Sequence, residues 1–205
     1  MTQRAIFLDR DGTISEEVGY VNHLSRYRLM PNSLEAIRIA NGAGFKVIVT
    51  TNQSGVARGY FSESLVHQVH ARLTGWAEAA GARLDAIYFC PHHPQEGAPP
   101  YRAACDCRKP RPGMILRAAR EHGLDLARCY AVGDGLVDLE AAAAAGVPGV
   151  LVLTGYGRGL VEHQRERLRA QPLRIVEDLL EAVRFIVGRD SQGRDANRIP
   201  AAGER

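Results

Sequence analysis

The feature that most constrains this chain is a series of short, mostly apolar runs rich in β-branched or aromatic residues. They stand at Ala5–Leu8 (AIFL), Lys46–Thr50 (KVIVT), Ala86–Phe89 (AIYF), Cys129–Val132 (CYAV) and Gly149–Leu153 (GVLVL). None alternates polar with apolar, so each reads as a strand buried on both faces. Between them lie segments of helical character. Asn32–Gly42 would be capped by its Asn-Ser start and its Gly stop, Ser62–Ala80 has Ser62 as candidate N-cap, and Pro112–Glu121 follows. Leu136–Ala145 comes after the fourth strand, and Val176–Val187 closes the ordered part. Strands alternating with helices predict an α/β domain with a mostly parallel, Rossmann-like sheet flanked by helices, its ligand at the carboxyl ends of the strands.

With 205 residues, 45% of them hydrophobic, one core and one domain over 1–188 are expected. Residues 189–205 hold a single large apolar residue, Ile199, and are expected to be a disordered tail. The net charge of +3 comes from dispersed arginines without a basic run, which argues against nucleic acid as partner. The apolar run near the start is too short for a signal-peptide core, and no segment reaches the roughly 18 apolar residues of a membrane span. The reading is a cytoplasmic protein with no membrane partner, and its size makes a monomer reasonable. In a reducing compartment, clustered cysteines suggest metal ligands before disulfides. Cys129, in the run CYAV, reads as a buried inert thiol.

If ligands sit where strands end, polar residues should gather there, and they do. Asp9 and Asp11 follow the first strand, Thr51-Asn52-Gln53 the second, a Cys/His segment the third, and Gly133-Asp134 the fourth. In Asp9-Arg10-Asp11-Gly12-Thr13, one carboxylate can attack phosphorus while its neighbour moves protons, a division suited to phosphate-ester hydrolysis. Asp-x-Asp also occurs in solvated turns; the apolar run before it and Gly-Thr behind it favour the site. A phosphoryl group among carboxylates needs its charge neutralised, and Mg2+ with oxygen ligands does this. Asp134 suits that ion, though it could equally be a helix N-cap, and Asp138 could brace the loop from one turn into the helix. Thr51 with the backbone N–H groups of Asn52 and Gln53 can donate to phosphoryl oxygens, and Lys109, one of only two lysines, can supply the point charge. Arg108 beside it can fork onto a second phosphate or sugar oxygens.

The segment after the third strand reads CPHHPQEGAPPYRAACDCRKP. Cys90-x-His92 and Cys105-x-Cys107 form two short pairs whose spacing permits tetrahedral Zn2+ with three thiolates and one imidazole. Four protein ligands leave no position for water, so such a zinc is structural. His93 is the rival imidazole, but alternation points it the other way. A Cys105–Cys107 disulfide would close an unusually tight ring and leave Cys90 and the histidines unexplained. Zinc here would tie down a Pro-rich loop and fix Arg108 and Lys109 at the rim of the site.

Taken together, FLDRDGT, TTNQSG, CRKP and VGDGLVD resemble, in order and from Ala5 to about Leu153, the four motif regions of the haloacid dehalogenase-like (HAD) phosphatases. The resemblance implies the HAD fold with strand order 3-2-1-4-5. It also implies Asp9 as nucleophile, Asp11 as general acid/base, Thr51 and Lys109 as phosphate stabilisers, and Mg2+ on Asp9, the Asp11 backbone carbonyl and Asp134. The gaps between motifs are too short for the cap domains of that family. Gly19-Tyr20-Val21, TNQSGVARGYF, CPHHP and CDCRKPRPGM further resemble its capless, zinc-looped branch, which removes one phosphate from a heptose bisphosphate for Gram-negative envelope synthesis. That likeness implies a small sugar bisphosphate lined by Glu17, Val18, Gly19 and Tyr20, by Thr51, Asn52, Gln53 and Ser54, and by Arg108 and Lys109. One departure is Gly135 after Asp134, where some relatives carry a lysine that touches substrate. The nearest rival branch acts on histidinol phosphate, with its zinc pairs closer together. Polynucleotide phosphatases share the Thr-Asn-Gln region but not the zinc loop, and a non-catalytic zinc-stabilised binding module would have no use for five intact motif residues.

Overall fold

The computed structural model describes residues 3–196. Six parallel strands, β1 (Ala5–Leu8), β2 (Lys46–Asn52), β3 (Ala86–Cys90), β4 (Tyr130–Gly133), β5 (Gly149–Val152) and β6 (Arg174–Val176), form one sheet in the order 3-2-1-4-5-6. The central strand β1 is flanked by β2, with Leu8 opposite Val49, and by β4, with Leu8 opposite Val132. Alternation along β1 divides the core. Ile6 and Leu8 face α1 (Ser33–Gly42), α2 (Glu63–Ala79) and α6 (Leu179–Ala196), while Ala5 and Phe7 face α3 (Gly113–His122) and α4 (Leu136–Ala144). The alanine run serves close packing: Ala141 and Ala142 are wholly buried, and a Cβ at Gly149 would come within 2.8 Å of Leu139. Cys129 is buried just before β4, its sulfur accepting from the Ala5 N–H at 3.3 Å, and burial holds its thiol up at about 11.

Several boundaries differ from the sequence expectation. Ser62 does cap α2, accepting from Leu65 N, but Asn32 precedes α1 in a left-handed conformation with no side-chain cap. That helix ends through Gly44, at φ +83°, rather than Gly42. Residues 174–176 are a sixth strand, so the last helix starts at Leu179 and not Val176, and a further helix, α5 (Gly157–His163), packs Leu160 against Leu139, Leu151 and Leu168. α6 runs on to Ala196 and takes in the first residues of the segment expected to be disordered, where Arg4 pairs with Asp190; residues 197–205 lie outside the described residues. Among the described residues no helix is long and apolar enough to cross a membrane, and no second domain follows β1 or precedes α3.

Candidate active site

The carboxyl ends of β1, β2 and β4 meet at one point. Asp9 prolongs β1, its N–H bonded to Val132 O at 2.9 Å, and Asp134 directly follows β4. One carboxylate oxygen each from Asp9, Asp134 and Asp138 lies within 4.8 Å of the others. Lys109 enters this acidic corner, 5% exposed, and uses all three ammonium protons: 2.7 Å to Asp9 Oδ1, 2.5 Å to Asp138 Oδ1 and 2.8 Å to the Thr50 carbonyl. Its main chain is held too, since Asn52 accepts from Lys109 N at 3.0 Å and donates to Lys109 O at 3.1 Å.

Glycine makes room for Asp134. Gly12, at φ +80°, and Gly155, at φ +53°, lie so close that a Cβ on either would fall 2.1 or 2.0 Å from Asp134 Oδ2. That oxygen accepts from Tyr156 N at 2.8 Å, and Thr154 Oγ1 ties the two loops by donating to Gly12 O at 2.6 Å.

Electrostatically the corner lacks positive charge. Burial, opposed by Lys109, raises the Asp9 carboxyl to about 7, and burial with the neighbouring Asp9 and Asp138 raises Asp134 to about 8. Burial would lower the Lys109 pKa, but Asp138 and Asp9 together hold it above its ordinary value. One ammonium among three carboxylates, Asp134 and Asp138 buried and Asp9 nearly so, leaves them short of a cation, and an all-oxygen donor set of this kind suits a hard divalent ion such as Mg2+.

Asp11 stands outside the trio. Arg10, 1% exposed, grips its carboxylate through Nε at 3.1 Å and Nη2 at 2.6 Å, while Gln53 Nε2 donates to it at 2.9 Å and to Thr51 Oγ1 at 2.8 Å. The Gln53 backbone N–H, read from sequence as a phosphate donor, is instead bonded to Cys90 O at 2.8 Å, because β2 and β3 stay paired to their ends. Val18 turns its side chain onto the core. Glu17 accepts from Gly19 N and from the Tyr156 hydroxyl, bridging the loops after β1 and β5. Tyr20 packs edge-on against Tyr60 with ring centroids 4.8 Å apart, and Ser54 opens the turn that Arg58 N closes onto its carbonyl at 3.0 Å. Gly135 is the N-cap of α4 and borders a cavity of about 460 Å3 that reaches Tyr156, His163 and Arg167.

The second cluster joins Cys90, His92, Cys105 and Cys107. The sulfurs lie 3.0–3.5 Å apart without a disulfide, and His92 Nδ1 is 3.4 Å from Cys107 and 3.7 Å from Cys90. Hydrogen bonding with Cys90, then with His92 and Cys105, pulls the Cys107 thiol down to about 5. Three soft sulfurs and one imidazole around a single point are the donor set of a tetrahedral zinc. His93 turns away: its Nδ1 accepts loop N–H groups at 2.9 and 3.2 Å, and its Nε2 lies 3.0 Å from Arg58 Nη2. Arg108, beside Lys109, donates to His92 O at 3.3 Å and so links the two clusters.

Sequence reasoning missed the grip of Arg10 on Asp11, the ion pair between Asp138 and Lys109, and the Tyr156 N–H on Asp134. Asp138 had a signal in its four-residue spacing from Asp134; Arg10 and Tyr156 had none.

The HAD-hydrolase-like family model matches residues 106–182. The chain is 43% identical over 190 residues, 91% of its length and 96% of the relative's, to the D-glycero-D-manno-heptose-1,7-bisphosphate 7-phosphatase of Thermosynechococcus vestitus. It is 48% identical over 145 residues, 71% of its length and 81% of the relative's, to the D-glycero-beta-D-manno-heptose-1,7-bisphosphate 7-phosphatase of Rhodopseudomonas palustris. Among solved structures, the D,D-heptose 1,7-bisphosphate phosphatase of B. bronchiseptica, complexed with magnesium and phosphate, superposes with a TM-score of 0.79 at 36% identity, covering 91% of this chain and 99% of that one.

Proposed function

Because the chain belongs to the heptose-1,7-bisphosphate 7-phosphatases of the HAD-like hydrolases, we propose that it removes the 7-phosphate of D-glycero-D-manno-heptose 1,7-bisphosphate. This is a step toward the nucleotide-activated heptose of lipopolysaccharide. The observation that carries the reading is the 2.7 Å contact between Lys109 Nζ and Asp9 Oδ1 at the point where Asp134 and Asp138 converge.

An Asp9 oxygen attacks phosphorus as the bond to sugar O7 breaks. The electron pair stays on O7, which takes a proton from Asp11, and Asp9 is left as an acyl phosphate. Asp11 then accepts a proton from the water that attacks phosphorus, and the bond to Asp9 breaks to release inorganic phosphate. Lys109 and Thr51 stabilise the equatorial oxygens throughout. A magnesium ion on Asp9, the Asp11 carbonyl and Asp134 would supply the remaining positive charge. The residues Glu17, Gly19 and Tyr20, with Asn52 to Ser54 and Arg108, line the rest of the sugar bisphosphate. Cys90, His92, Cys105 and Cys107 would hold a structural zinc, which would keep Arg108 and Lys109 in place.

The test is phosphate release from the α and β heptose bisphosphates and from histidinol phosphate at matched concentrations. The β anomer, the form named for the Rhodopseudomonas relative, is expected to be preferred to histidinol phosphate by at least about a hundredfold. A preference for histidinol phosphate would overturn the substrate, and no release from any of the three would leave a binding module.

A further inference from the structure

Two buried residues beside the site have no part in the steps above. Arg10 lies between the motif aspartates with its guanidinium 5.6 Å from the Tyr27 ring, and its two-pronged grip on Asp11 leaves Nη1 pointing toward α2. There Nη1 meets Nε2 of His70 at 3.1 Å. Arginine offers donors only, so Nε2 accepts and the ring carries its proton on Nδ1. Burial, and then the charge of Arg10, hold His70 down at about 3, so it is neutral over the working range of any cytoplasmic enzyme. Its ring sits edge-on to Phe89 with centroids 5.5 Å apart. A histidine kept only to fill that space would have no reason to aim an acceptor at Arg10.

Asp11 needs such support. It stands in a loop rather than on a strand, and among the described residues its carboxylate is placed by Arg10, by Gln53 at 2.9 Å and by Ser15 at 3.3 Å. A long, unbranched arginine is a poor anchor unless its own far side is fixed. We propose that His70 is a positioning residue for phosphoryl transfer: by accepting from Arg10 it fixes the guanidinium fork, and the fork sets where Asp11 exchanges its proton with the leaving oxygen. The inference rests on the reading of Asp11 as the acid–base residue.

The experiment uses phosphomonoesters of graded leaving group, from p-nitrophenyl phosphate to a simple alkyl phosphate, with kcat/KM as readout. A nitrophenolate departs without help, whereas an alkoxide needs the proton of Asp11. His70→Leu fills the space without an acceptor and is expected to lose about tenfold on the alkyl ester but no more than about twofold on the nitrophenyl ester. His70→Gln, whose amide oxygen can accept from Arg10, should recover most of the alkyl activity. Thermal melts of both variants establish that they fold. Equal losses across the series, no loss, or no recovery in His70→Gln would overturn the role of His70. Asp11→Asn separates the two layers. If it too shows no leaving-group dependence, the acid–base assignment falls. If it shows a steep dependence and His70→Leu a flat one, the inference about His70 falls alone. Neither result depends on the natural substrate being a heptose.

Discussion

Lys109 and Asp9 form a 2.7 Å ion pair whose side chains are only 5% and 12% exposed. In the proposed reaction this contact joins the carboxylate that attacks phosphorus to the ammonium that steadies the transferring oxygens. In so dry a setting an ammonium is worth far more than at the surface, but it cannot balance Asp134 and Asp138 as well.

Asp9→Asn is therefore expected to abolish phosphate release, by about ten-thousandfold or more, because an amide cannot form the acyl phosphate. The melting temperature should hold or rise, since the wild-type carboxyl is already pushed up to about 7 by burial. Turnover near wild type would refute the nucleophile.

Asp138→Ala removes both the 2.5 Å partner of Lys109 and the oxygen that receives Gly135 N at 3.1 Å. The helix-start contact is worth about 1 kcal/mol of stability. Freed on one side, the ammonium shifts, and kcat should fall by about a hundredfold. A variant that loses stability alone would show that Lys109 needs only Asp9 and Thr50.

Magnesium should reverse a pH dependence of stability. Folding raises Asp9 to about 7 and Asp134 to about 8, against about 3.9 unfolded. Without metal the folded chain binds these protons more tightly than the unfolded one, so stability declines as pH climbs from about 4 and levels off above about 8. Bound Mg2+ displaces both protons, and the rise in melting temperature it causes should be larger at pH 8 than at pH 6. A metal effect independent of pH would mean that the ion binds elsewhere.

Cys107→Ala should lower zinc content below one per chain. Its sulfur touches both other sulfurs and the His92 imidazole, so its loss opens the cluster from within. Proteolysis between residues 91 and 107 should quicken, with activity falling indirectly as Arg108 and Lys109 lose their support. Full zinc occupancy in this variant would reject the ligand set.

The strands β1 to β5 were legible because each is a short apolar run with no other reading, and the acids were legible because such strands end in one place. β6 escaped notice: three residues beginning with Arg174 make no pattern, and α5, with two glycines, has weak helix propensity. The polar end of α6 looked unable to bury surface, yet the helix is already anchored by Val183 and Ile186 and continues past them. Within the site, Asp9, Asp134 and Lys109 were visible as residue types in expected places. The hold of Arg10 on Asp11 and of Asn52 on the Lys109 backbone depends on where side chains turn after folding, which spacing does not encode.

The closeness of Gly12 and Gly155 to Asp134 bears on how this enzyme can change over generations. Two hydrogens stand where every other amino acid would put carbon, so a saturation library at either position should return almost no survivors. Substrate preference can drift by exchange of rim side chains around an acid whose own lodging is closed to revision.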